Sequence, residues 1–125
     1  MCIRDRTYPA QLQVLLRNQC SEGVEIQNFG LSGATASRAG EKPYLLSAHC
    51  ARAYDYDADI YVIMLCTNDA LQRLDAASAG DGLTRLIRRL RLLASPRVVD
   101  IVLVLPPGKQ AGVLQTFLRL SLIHI

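Results

Sequence analysis

No stretch of the 125-residue chain approaches the roughly 18 consecutive apolar residues that a membrane-spanning helix requires, so the sequence encodes no such span. The four cysteines, at positions 2, 20, 50 and 66, form no CxxC pair, which excludes a zinc ribbon and a dithiol redox motif. Their wide spacing is also unlike the dense framework of a disulfide-stapled module. Blocks of like charge are missing: the net charge of +3 is spread along the chain and calls for neither nucleic acid nor a membrane surface as partner. Internal repeats and low-complexity segments are absent as well. What the chain does have is apolar side chains, 50% of its residues against 20% charged. That is enough hydrophobic surface to offset chain entropy, at a length that suits one compact domain.

The two ends stand apart from the rest. Met1 to Arg6 reads MCIRDR and Leu120 to Ile125 reads LSLIHI, and neither continues its neighbour's pattern or carries a cap or turn signal. Both are similar to translated adapter sequence. The domain is therefore expected to occupy residues 7–119, with 1–6 and 120–125 as non-native ends.

Between these ends, helical and strand patterns alternate. Tyr8 to Cys20 places Leu12, Leu15 and Leu16 at helical spacing, with Pro9 in the first turn where its missing N–H costs nothing. Val24 to Phe29 reads as a short strand running into the glycine-rich Gly30–Thr35 turn. Tyr44 to Tyr54 predicts a helix with Leu45, Leu46, Cys50 and Ala53 on one side. Ile60 to Leu65 (IYVIML) and Val98 to Leu105 (VVDIVLVL) read as strands buried on both faces. Thr67–Asn68–Asp69 breaks the first of them with turn and capping chemistry. Leu83 to Ala94 carries a helical stripe of Leu83, Leu86, Ile87, Leu90, Leu93 and Ala94, and Ser95–Pro96 ends it. A last helix is expected from about Lys109 to Arg119. Such alternation predicts an α/β fold, a parallel sheet wrapped by helices in three layers.

In open parallel sheets, ligands bind beyond the carboxyl ends of the strands. Three loops are expected there: Gly30–Thr35, Cys66–Asp69 and Pro106–Gly108. In the first, Gly30 and Gly33 can take positive φ and leave backbone N–H groups unshielded, so the turn could cradle an anion or line an oxyanion hole. The plainer alternative is a tight strand-to-helix turn. In the second, the Asn68 carboxamide is a neutral donor able to face a developing oxyanion. The plainer alternative there is that Asn68 and Asp69 cap the next segment.

Tyr8–Pro9–Ala10–Gln11–Leu12, Asn28–Phe29–Gly30–Leu31–Ser32–Gly33–Ala34–Thr35 and the stretch Asp59 to Asp69 (DIYVIMLCTND) together resemble the SGNH/GDSL hydrolases. This is a family of esterases, lipases and acylhydrolases. The resemblance covers about Tyr8 to Leu118 and implies a flavodoxin-like three-layer α/β/α fold with a parallel sheet. Gly33 matches the glycine of the family's second block, and Thr67, Asn68 and Asp69 match its GxND block. By resemblance Gly33 and Asn68 form the oxyanion hole, Thr67 and Asp69 support them, and the substrate is a small-molecule ester. No cofactor and no metal is implied.

Departures from the family pattern are equally informative. The family's nucleophilic serine lies in a GDS block, and this chain has none. Its base comes from a DxxH block, yet neither His49 nor His124 has an aspartate three residues earlier. Cys66 stands where GxND opens with glycine. The chain is thus expected to be the central part of a serine ester hydrolase, lacking the first strand and inactive alone. Without that strand, Val24–Phe29 and Ile60–Leu65 must pair directly or leave apolar edges exposed, so poor solubility is expected.

Other groups carry weaker patterns. Ser32 sits in a GLSGA turn that approximates the GxSxG nucleophile elbow, but its last position is Ala34 and no base can be assigned. His49 and Cys50 are adjacent and therefore point about 100° apart on a helix, which reads as a surface histidine beside a core cysteine. Cys66 reads as a buried free thiol. Asp55, Asp57 and Asp59 read as a solvated loop at the strand end opposite the expected site. Arg85, Arg88, Arg89 and Arg91 read as the solvated face of their helix. The second function class is a non-catalytic flavodoxin-like binding module holding a phosphate or flavin at Gly30–Thr35. A phosphate loop leads straight into a helix N-terminus, whereas here Ser37 to Pro43 intervenes.

Overall fold

The computed structural model describes residues 7–20 and 23–104. The chain divides into two compact units, residues 1–30 and 31–125.

In the first unit, α1 spans Tyr8–Gln19, with Pro9 in its opening turn and Arg17 in its last. Both placements suit the orphan N–H groups and the partial negative charge at the respective ends. None of its residues is buried, and Val14 and Leu15 are exposed. The expected strand at Val24–Phe29 is not formed. Its backbone is engaged by a side chain instead: the Gln13 carboxamide donates to the Val24 carbonyl and accepts the Ile26 N–H at 2.6 Å. One side chain thus takes two of the backbone groups that a ladder would need.

In the second unit, the expected helix at Tyr44–Tyr54 divides at Ser47. A 3₁₀ turn covers Tyr44–Leu46, and α2 covers Ala48–Asp55. Ser47 is the reason, since its Oγ accepts the Cys50 N–H at 3.1 Å as an N-cap and donates to the Tyr44 carbonyl at 2.7 Å. Next come β1 (Ile60–Ile63), α3 (Thr67–Leu71), α4 (Ala76–Ala94) and β2 (Asp100–Leu103). The two strands are parallel, registered from Ile60 opposite Asp100 to Ile63 opposite Leu103, with α3 and α4 in the crossover between them. Helix α4 begins seven residues before the expected Leu83, because its first turns bury the small residues Ala79, Gly80 and Gly82 rather than an apolar stripe. Its stripe of Leu83, Leu86, Ile87 and Leu90 is buried, while Leu93 lies outside it and is exposed.

The core joins that stripe to Ile63, Cys66 and Cys50, with Tyr61, Ile101 and Leu103 packed against it. The strands were expected to be buried on both faces. Instead they alternate, with Ile60, Val62, Met64 and Val102 exposed at 57%, 41%, 45% and 47%. The core cluster gathers on the face that Tyr61, Ile63, Ile101 and Leu103 present, and the opposite face carries the exposed Ile60, Val62 and Val102. At the amino ends of the strands, Arg97 pairs with Asp57 and, at 2.7 Å, with Asp59. Among the described residues no helix is long and apolar enough to cross a membrane. The expected helix at Lys109–Arg119 and the loop Pro106–Gly108 lie outside the described residues.

Candidate active site

Three residues beyond the end of β1, Cys66 takes φ +79° and caps α3. Its carbonyl accepts the Ala70 N–H at 3.1 Å. Thr67, Asn68 and Asp69, expected as a turn, are therefore the first turn of a short helix. That turn delivers two side chains to a segment more than 30 residues earlier. The Asn68 carboxamide donates through Nδ2 to the Ala34 carbonyl at 3.0 Å. The Asp69 carboxylate, 3% exposed, accepts the Ala36 N–H at 2.9 Å through Oδ2 and the Ser37 N–H at 2.7 Å through Oδ1. A buried carboxylate requires such partners, since desolvating an unpaired one is costly.

The receiving segment is itself tightly folded. Gly33 has φ +79°, a left-handed conformation suited to glycine, and Ala34 N–H closes the turn onto the Leu31 carbonyl at 3.2 Å. Thr35 N–H donates to the Lys42 carbonyl, and Thr35 Oγ1 donates to the Ser37 carbonyl at 2.8 Å. Ser37 Oγ meets Ser78 Oγ of α4 at 2.6 Å. Every N–H from Ala34 to Ser37 is thus committed. Among the described residues, nothing accepts the Gly33 N–H. The Lys42 side chain lies alongside, its Nζ 3.9 Å from where a Cβ on Gly33 would stand.

So the structure brings Gly33, Asn68 and Asp69 to one place, with Thr67 opening the helix that carries the last two. The carboxamide nitrogen of Asn68 has two hydrogens, and the Ala34 carbonyl occupies one. Cys66, buried beside them, has its thiol pushed up to about 12 by desolvation and, secondarily, by the Asp69 charge. It is a protonated thiol at neutral pH rather than a nucleophile.

Other candidates lie elsewhere. Ser32 is exposed on its turn, and the first helical residues that follow are Tyr44–Leu46, so the immediate turn-to-helix step of a nucleophile elbow is not formed. His49 contacts Arg52 at 3.3 Å, whereas Cys50 is buried and bonded to Tyr54. No group of three potential metal ligands occurs among the described residues. Arg85 pairs with Asp81 at 2.7 Å, and Arg89 stands over the Tyr54 ring. Two features at the site escaped sequence reasoning, the double acceptance by Asp69 and the contact of Ala36 with Gly82. A Cβ on Gly82 would meet the Ala36 carbonyl oxygen at 1.8 Å. Its only local signal is a glycine inside a helical pattern, which suggests close packing.

A parallel strand pair with helical crossover and polar side chains beyond a strand's carboxyl end defines an α/β protein. Residues 3–120 match the GDSL-like lipase/acylhydrolase family, and the chain belongs to that family. It is also similar to an acetylxylan esterase of Xylanibacter ruminicola, 38% identical over 63 residues. That stretch is 50% of this chain but 12% of the relative's length. No solved structure matches.

Proposed function

We propose that this chain carries the oxyanion-stabilising part of a serine ester hydrolase. In this reading, residues 7–119 belong to a flavodoxin-like three-layer domain whose nucleophile and His/Asp base are supplied by polypeptide outside this sequence. As the serine attacks the acyl carbon, the carbonyl π electrons move onto oxygen. The Gly33 N–H and the second Nδ2 hydrogen of Asn68 donate to that oxyanion while the serine proton passes to the base. Collapse breaks the ester C–O bond, the base returns the proton to the departing alcohol, and water then hydrolyses the acyl-serine. Thr67 and Asp69 support the two donors. The observation that carries the reading is the Gly33 N–H, which nothing accepts among the described residues, beside a carboxamide already oriented by Ala34. The acetylxylan esterase relative suggests acetyl esters of carbohydrates as the substrate class.

The alternative, a phosphate or flavin held at Gly30–Thr35, is less well supported. The amides of Ala36 and Ser37, next along the chain, already bind a resident carboxylate.

Asn68→Ala in the intact enzyme, assayed on p-nitrophenyl acetate and acetylated xylan, tests the reading. Removal of one oxyanion donor is expected to cost about 10²–10³ in kcat. Unchanged kcat in a folded variant would refute it. Reading the genomic sequence on both sides of the codons for residues 7–119 is the cheaper check: a GDS block upstream and DxxH downstream are expected.

A further inference from the structure

We infer that Asp69 is a positioning residue, one whose carboxylate sets the distance between the two proposed oxyanion donors. The inference rests on the reading above and extends it. Gly33 and Asn68 belong to segments joined near the site by one neutral hydrogen bond, from Asn68 Nδ2 to the Ala34 carbonyl. Asp69 adds two charge-assisted bonds to the next residues of the same segment, at 2.9 and 2.7 Å. Both of its oxygens accept, so a carboxamide of the same shape would turn an N–H donor toward one of the two backbone N–H groups. The far side of the segment is held by α4, through Ser37–Ser78 and the close approach of Ala36 to Gly82. Loss of the Asp69 bonds therefore leaves the segment attached to α4 and frees it to move relative to Asn68. A misplacement of about 1 Å can cost roughly 10²-fold in rate.

The test uses the intact enzyme with p-nitrophenyl acetate, at a temperature where circular dichroism shows each variant folded. Asp69→Asn and Asp69→Glu are expected to lose about 10- to 100-fold in kcat with KM little changed, the pattern of a transition-state interaction. Amide exchange at Ala36 and Ser37 is expected to accelerate in Asp69→Asn. Asp69→Glu, which keeps two acceptors but displaces them by one methylene, carries the test if Asp69→Asn does not fold. Leu90→Ala, a core truncation away from the site, is expected to lose stability yet keep kcat. Wild-type kcat in the folded Asp69 variants, or an equal kcat loss in Leu90→Ala, overturns the inference. An Asn68→Ala variant that keeps its kcat overturns the oxyanion reading itself, and this inference with it. Loss in Asn68→Ala without loss in the Asp69 variants overturns this inference alone.

Discussion

Gly82 of α4 lies against Ala36 so closely that a single added carbon would stand 1.8 Å from the Ala36 carbonyl oxygen. Two opposing effects bear on Gly82→Ala. Alanine is favoured over glycine in a helix interior by about 1 kcal/mol. Overpacking a close contact costs about 1–3 kcal/mol, and the upper end applies because the obstacle is backbone whose own N–H is held by Asp69. Gly82→Ala is expected to destabilise by about 1–2 kcal/mol net. Urea denaturation checks it, and a raised midpoint would show that the segment yields.

Cys66, which stands where the GxND motif opens with glycine, takes a left-handed backbone conformation at φ +79°. A non-glycine residue there bears strain of about 1–2 kcal/mol. Cys66→Ala keeps the strain and loses the buried sulfur, whereas Cys66→Gly loses the sulfur and relieves the strain. The glycine variant is therefore expected to be the more stable of the two by about 1 kcal/mol. Thermal unfolding of the pair measures the difference directly. The reverse order would show that the turn is not strained at this residue.

How much of this was legible in the sequence depends on the range of the interaction. The α4 stripe from Leu83 to Leu90 and the span of α1 follow from a 3.6-residue period, a local property. Gly33 and Asn68, named by motif, fall either side of one hydrogen bond through Ala34. Val24–Phe29 was misread because strand pattern records propensity, whereas a strand also needs a partner, and Gln13 bonds there first. Asp69 was named by the motif as a supporting residue, with capping of the following segment as the plainer alternative, but its partners were not legible, being backbone amides 32 and 33 residues away. Backbone amides leave no trace in side-chain identity. The beginning of α4 was missed for a related reason, since burial of Ala79, Gly80 and Gly82 produces no apolar stripe.

Alkaline pH should destabilise the fold, and the sign follows from the buried thiol. Below the ordinary thiol value of 9.0, Cys66 is protonated in both folded and unfolded chains and confers no pH dependence. Above it the unfolded thiol ionises while the folded one, held up to about 12, does not. Stability then falls as pH rises through this window, by about 1.4 kcal/mol per pH unit per such group. Tyr44, pushed from 10.0 to about 12 mainly by burial, adds to the loss from pH 10 upward. Melting temperatures from pH 8 to 10.5 are expected to fall, with a shallower slope in Cys66→Ser. Parallel slopes would remove Cys66 from the account.

Val62 and Val102 face each other across the two strands and are exposed at 41% and 47%, flanked by Ile60 and Met64. Among the described residues the sheet has only these two strands, and contiguous apolar surface on so narrow a sheet is a template for self-association. The chain as given is therefore expected to aggregate or oligomerise at micromolar concentration. A Val62→Lys, Val102→Glu pair places opposite charges in register on this face. It removes no buried core residue, so association should fall while thermal stability is retained. Sedimentation velocity on both proteins decides the matter. A monodisperse monomer from the unaltered chain would mean that this face is covered in solution.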